Sequence, residues 1–235
     1  MALYVIGDTH LSEAVNKPMD IFGGAWQDYR AKLLKGLGET MLSEEDLLVV
    51  AGDLSWGMSL EEALPDFRFL EQFPGKKVLV KGNHDYWWDT VSKMNKFFEK
   101  NEINRLFFLH NNCILYSGTV LCGTRGWFYD PHDPAAGDEK VFKREVMRLE
   151  ASLKAARQQY GDAPIVCFLH YPPILRSGKV APILELLERY GVSRCCYGHL
   201  HGDSLRAAFN GVWNGVHYQC VSADYIGFRP VQIMP

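Results

Sequence analysis

Residues 3–10 read Leu3-Tyr4-Val5-Ile6-Gly7-Asp8-Thr9-His10. The first four are aliphatic or aromatic, with two β-branched residues among them, and predict a buried strand. Gly7 ends the run, and Asp8 and His10 follow two residues apart. In extended chain, residues two apart point to the same side. Asp8 and His10 can therefore grip one centre together.

Working outward, the same pattern recurs. Residues 47–51 lead into Gly52-Asp53, and residues 77–81 into Gly82-Asn83-His84-Asp85. Residues 165–169 lead into His170, and residues 194–197 into Gly198-His199-Leu200-His201. Five strands thus end in Asp, Asn or His, and four of them place a glycine just before the polar residue. Ligands of open α/β sheets bind beyond the carboxyl ends of the strands, where side chains from several strands converge. Glycine lets the chain turn sharply and approach a centre closely.

The remaining pattern predicts further strands at 106–109, 114–116 and 120–122 and several after residue 204. It predicts helices at 28–36, 60–71, 89–100, 139–160 and 181–190. In the 139–160 segment Phe142, Val146, Leu149, Leu153 and Ala156 stand at helical spacing, a core-packing stripe. Strand and helix alternate in the first part, which argues for a parallel sheet with covering helices. The closely spaced runs from 106 to 122 read as a meander. The length of 235 residues suits one domain spanning 1–235.

Composition narrows the functional classes. Apolar residues make up 47% of the chain and the formal net charge is −3, so no basic excess draws in nucleic acid or anionic lipid. No apolar run reaches membrane-spanning length. The start, MALYVIGDTHL, lacks the basic and long apolar parts of a signal peptide. A cytoplasmic protein without a membrane span is expected. Cys113, Cys122, Cys167 and Cys220 are isolated in apolar segments and Cys195-Cys196 are adjacent, a pattern of reduced core cysteine.

The candidate ligands are Asp8, His10, Asp53, Asn83, His170, His199 and His201. Carboxylates, an amide oxygen and imidazoles, without thiolate, suit transition metals better than Ca or Mg. Seven donors exceed the needs of one ion and fit two ions bridged by a shared carboxylate. Each motif alone is weak. Their conjunction is specific, since five of the eight histidines fall within it.

This series, Asp-x-His, Gly-Asp, Gly-Asn-His-Asp, a lone His and Gly-His-x-His, resembles the motif set of the calcineurin-like metallophosphoesterases. The resemblance runs from Asp8 to His201. It implies a four-layer α/β/β/α sandwich with two mixed sheets and the site at the strand ends. It assigns one metal to Asp8, His10, Asp53 and His201, and the other to Asp53, Asn83, His170 and His199, with Asp53 bridging. His84 matches the family's catalytic histidine, and Asp85 the carboxylate that orients it. The implied cofactors are two divalent or trivalent ions, Mn, Fe or Zn. The implied reaction is hydrolysis of a phosphate mono- or diester by a metal-bridging hydroxide, on a small phosphorylated substrate, nucleotides included. A nuclease, a cyclic-nucleotide phosphodiesterase and a non-catalytic binding scaffold are the alternatives. The sequence is silent on oligomeric state.

One departure is informative. Protein Ser/Thr phosphatases continue the second motif with an Asp-Arg pair, whereas this chain reads Gly52-Asp53-Leu54-Ser55-Trp56-Gly57-Met58. Arg125, after the 120–122 strand, is the candidate for the missing phosphate contact; a surface turn residue is the alternative. Residues 11–27, Trp87-Trp88 and residues 125–137 are candidate pocket walls. Their aromatics either stack on substrate or pack the loops. His132 and His217 are weaker pocket candidates.

Overall fold

The computed structural model describes residues 1–128 and 138–234. Along the chain run β1 (Leu3–Ile6), α1 (Tyr29–Thr40), β2 (Leu47–Ala51), α2 (Leu60–Glu71), β3 (Lys76–Val80), α3 (Val91–Lys100), β4 (Leu106–Phe108), β5 (Cys113–Tyr116), β6 (Thr119–Thr124) and α4 (Glu139–Tyr160). There follow β7 (Ile165–Leu169), α5 (Ala181–Arg189), β8 (Val192–Tyr197), β9 (Gly211–Trp213), β10 (Val216–Cys220) and β11 (Val231–Met234). Two compact units result, Met1–Phe108 with Val221–Pro235, and Leu109–Cys220. Each is built on one mixed sheet with helices, the α/β class the motif series implies.

The first unit holds a five-stranded sheet in the order β11-β1-β2-β3-β4. Strands β1 to β4 are parallel and β11 is antiparallel to β1. Every residue of β2 is buried, as parallel strands covered on both faces require. Leu33 and Leu37 of α1, Phe67 and Leu70 of α2, and Met94 and Phe98 of α3 join Ile6, Leu48, Val50 and Leu79 in one core. α2 starts where the Ser59 hydroxyl accepts from Glu62 N at 3.2 Å, satisfying an otherwise unpaired amide.

The second unit holds a six-stranded sheet in the order β5-β6-β7-β8-β10-β9. Its centre, β6-β7-β8-β10, is parallel, and β5 and β9 are antiparallel edges. α4 begins at Asp138, whose carboxylate accepts from Lys140 N at 2.7 Å and Val141 N at 3.2 Å. It ends at Gly161, whose φ of 56° lies in the left-handed region. Leu149, Leu153 and Ala156 of the expected stripe are buried in this unit's core. Cys113, Cys122, Cys167 and Cys195 stand in register across β5 to β8. All six cysteines are free thiols, and five are buried. Burial pushes the Cys196 thiol up to about 12, which leaves it unreactive at neutral pH.

Two expectations need correction. The meander from 106 to 122 is not one: β4 pairs with β3 in parallel, Lys77 opposite Leu106, while β5 and β6 form a hairpin in the other sheet. Between them His110 N donates to Asn112 Oδ1 at 2.6 Å and Asn111 adopts φ 61°, a tight turn that mimics a hairpin connection in sequence. α1 continues past Gly36 to Thr40, because burial of Leu37 and Thr40 outweighs the low helix propensity of Gly36 and Gly38. The connection 11–27 carries two short 3₁₀ turns, Met19–Phe22 and Gly24–Trp26, anchored by buried Met19 and Trp26. No helix among the described residues is long and apolar enough to cross a membrane.

Candidate metal centre

In the first unit, the loops beyond β1 and β2 are laced together. Asp8 N donates to Gly52 O at 2.9 Å, His10 N to Asp53 O at 3.0 Å and Leu11 N to Leu54 O at 2.9 Å. This ladder forces unusual backbone angles: φ is 58° at Asp8, 46° at His10 and 51° at Asp53. Left-handed conformations cost a non-glycine residue on the order of 1 kcal/mol or more and cluster at functional sites. Their effect is to bring the side chains together. An Asp8 carboxylate oxygen lies within 4.8 Å of a His10 ring nitrogen and of an Asp53 carboxylate oxygen. His10 Nε2 stands 3.8 Å from Asp53 Oδ2, with side-chain exposures of 2% and 1%.

The loop after β3 clasps the same point. His84 N donates to Asp53 Oδ1 at 2.8 Å, and the Asp85 carboxylate accepts from Asp53 N at 2.9 Å in return. Asp85 also accepts from Gly82 N at 2.7 Å, Leu54 N at 2.9 Å and Trp87 Nε1 at 3.1 Å. Asn83 is half-buried in this loop. The His84 ring lies 5.7 Å from that of His10. The hydroxyl of Tyr86 is 3.4 Å from His84 Nδ1. The Asp85 carboxylate thus fastens the Asp53 loop to the Gly82 turn.

In the second unit, His170 follows β7 and is fully buried. His170 N and Tyr171 N both donate to Arg125 O, at 3.0 and 2.9 Å, and Gly198 N donates to His170 O at 3.1 Å. His199, at φ 74°, places Nδ1 3.3 Å from His170 Nε2. The Tyr171 ring lies against His199 at 4.1 Å. His201 opens the short 3₁₀ turn Gly202–Ala207, with its carbonyl accepting from Ser204 N at 3.0 Å.

The Arg125 guanidinium pairs with buried Glu145 at 3.4 Å and lies 4.6 Å from the Trp127 ring centre. Glu145 also accepts from Thr124 Oγ1 and Arg148 Nη1, both at 2.7 Å. Arg125 is thus built into the wall behind His170. Trp87 and Trp88 pack, Trp87 edge-on to Phe67 and Trp88 edge-on to Phe108. His217 pairs in register with Arg194, near the amino end of β8, whereas His199 follows its carboxyl end. His132 and residues 129–137 lie outside the described residues.

Sequence reading missed Trp56. Its ring stacks on His10 at 4.9 Å and tilts against His84 at 4.4 Å. The signal was its place in the second motif, where the protein phosphatases carry a polar residue.

The donors fit a metal. Two nearly sealed carboxylates, Asp8 and Asp53, approach within 4.8 Å. Like charges this close and this dry repel strongly, and a cation between them relieves the cost. Oxygen and imidazole donors without thiolate suit Mn, Fe or Zn.

The sequence profile of the calcineurin-like phosphoesterases matches residues 1–203, and the chain belongs to that family. It is accordingly a metal-dependent hydrolase acting on phosphoric esters. Among solved structures it is similar to the phosphopantetheinyl hydrolase PptH from Mycobacterium tuberculosis, with TM-score 0.61 and 15% identity over 100% of this chain and 96% of that one. It is also similar to the protein TT1561 of Thermus thermophilus, with TM-score 0.54 and 14% identity over 100% and 99% of the two chains. At these identities the likeness is one of fold. No curated protein matches in sequence.

Proposed function

We propose that the chain is a dinuclear phosphoesterase, with Asp8, His10, Asp53, Asn83, His170, His199 and His201 holding two transition-metal ions and Asp53 shared between them. The observation that carries the reading is the left-handed backbone at Asp8, His10, Asp53 and His199. Four candidate ligands held at angles that cost free energy point to a task beyond folding. When bound, such a metal pair lowers the pKa of water and offsets charge on the phosphate.

The chain's own residues do the rest. Asp53 Oδ1 is held by the His84 amide, which leaves Oδ2 turned toward His10. His84, against Trp56 and within reach of the Tyr86 hydroxyl, protonates the leaving oxygen. Asp85 keeps the Asp53 and Gly82 loops at a fixed separation. The substrate is a small phosphate mono- or diester.

The test is metal analysis joined to hydrolysis of p-nitrophenyl phosphate. Chelation abolishes turnover and Mn restores it, while Asp53→Ala loses both ions, as a shared ligand must. Turnover that survives complete metal removal, or full metal content in Asp53→Ala, overturns the assignment.

A further inference from the structure

The second unit contains a cavity of about 930 Å³ whose wall includes His199. This volume lies within the range of small-molecule sites. Phe128, Phe142, Pro172, Leu175, Val180 and Leu200 make its lining mainly apolar. Ser204 is the one neutral hydroxyl among the lining residues. The aromatic surface continues around His199: Tyr171 lies 4.1 Å from its ring, and Trp127 lies 4.5 Å from Tyr171.

We infer that this cavity receives the alcohol part of the substrate, and that this alcohol is a mainly apolar group of about two-ring size. The inference rests on the phosphoesterase reading above and adds the substrate class. His199 is both a proposed ligand and part of this wall, so a phosphate ester bound beside it would present its alcohol to the cavity. Each buried methylene contributes about 0.8 kcal/mol, so an apolar alcohol gains steadily with size. A nucleoside gains less, because its sugar hydroxyls and base need hydrogen-bond partners that this lining scarcely offers. Lys143 is occupied by Glu139 at 2.6 Å, and Lys179 lies 3.6 Å from the Trp213 ring centre.

Two positions allow the cavity to be filled without touching a proposed ligand. A Cβ added at Gly178 meets no heavy atom within 4 Å, and the backbone there is not left-handed. Ala181 is exposed at the start of α5 and lines the same space. The experiment compares phenyl phosphate, 4-biphenylyl phosphate and adenosine monophosphate on the Mn-loaded protein, and measures binding of 4-phenylphenol to the metal-free protein by titration calorimetry. The expected result is a kcat/KM at least about 10-fold higher for the biphenylyl than for the phenyl ester, consistent with burial of a second ring. Gly178→Phe and Ala181→Trp each remove that preference and the 4-phenylphenol binding, and leave the bound-metal content unchanged. A flat series with no 4-phenylphenol binding overturns the cavity's role alone. Binding of 4-phenylphenol without hydrolysis of any ester overturns the phosphoesterase reading instead, and the substrate class with it.

Discussion

An added Cβ at Gly82 would collide with Asp53 Oδ1 and the Asp53 amide, and would stand 2.7 Å from Asp53 Cγ. This is the physical content of the glycine that precedes Asn83. It lets the third motif press against the second, so that the His84 amide reaches Asp53 and the Asp85 carboxylate reaches back. A methyl group there must displace backbone, and overpacking of that kind costs about 1–3 kcal/mol. Gly82→Ala is therefore expected to lower the melting temperature by several degrees and to reduce bound metal measured by elemental analysis. Gly178→Ala is the control: its added methyl meets open space, and it is expected to be neutral or slightly stabilising. Equal melting temperatures and metal contents in the two variants would sink the argument. Trp56 teaches a complementary lesson. Its place in the second motif marked it as a departure, but that its ring stands against both His10 and His84 depends on how two loops meet rather than on any local pattern.

At the scale of elements, legibility followed burial and register. β2 and β7 are buried along their whole length, and their unbroken apolar runs gave their bounds correctly. The candidate ligands were legible for a related reason, since each follows a strand whose last residues are buried. β4 was assigned to the wrong neighbour, because closeness in sequence does not say which sheet edge a short strand joins. The left-handed angles at Asp8, His10 and Asp53 were also hidden, because they arise from pairing between the loops after β1 and β2. α2 contributes to that same region through Asp66. This fully buried carboxylate accepts from the Ser55 hydroxyl and from Glu13 N, tying the helix to the segments after the first two motifs. Burial, opposed by the bond from Ser55, raises its pKa from 3.8 to about 6, with the nearby charges of Glu13 and Arg30 acting in opposite senses. The folded protein thus holds this proton more tightly than the unfolded chain. The stabilisation is complete below pH 3.8 and is lost as pH rises through about 6. A shift of this size corresponds to roughly 2–3 kcal/mol. Asp66→Asn cannot ionise and keeps an acceptor for Glu13. Denaturant titrations are expected to show it gaining about that much on the wild type between pH 4 and pH 7. A stability difference that does not change with pH would refute the linkage.

For the whole molecule, the chain leaves its first unit at Leu109 and returns at Val221, so the first unit is built from two stretches of sequence and the second is one continuous insertion between them. The returning segment is needed locally: Gly7 N donates to Val221 O at 2.8 Å and Ala223 N to Gly7 O at 3.0 Å, which pins the residue just before Asp8. The proposed ligands are drawn from both units, Asp8, His10, Asp53 and Asn83 from one and His170, His199 and His201 from the other. An ion that needs donors from both stabilises only molecules in which both are folded. Ligand binding to the folded form adds RT ln(1 + [L]/Kd), about 2.7 kcal/mol at a hundredfold excess over Kd. If residues 1–235 act as one domain, calorimetry of the metal-free protein is expected to show one unfolding transition, and Mn is expected to move the whole of it upward. Asp53→Ala should leave one transition that Mn no longer shifts by the full amount. Two separate transitions in the Mn-loaded protein, only one of which responds to the metal, would show that the ions bind within a single unit and would refute a site shared by the seven donors.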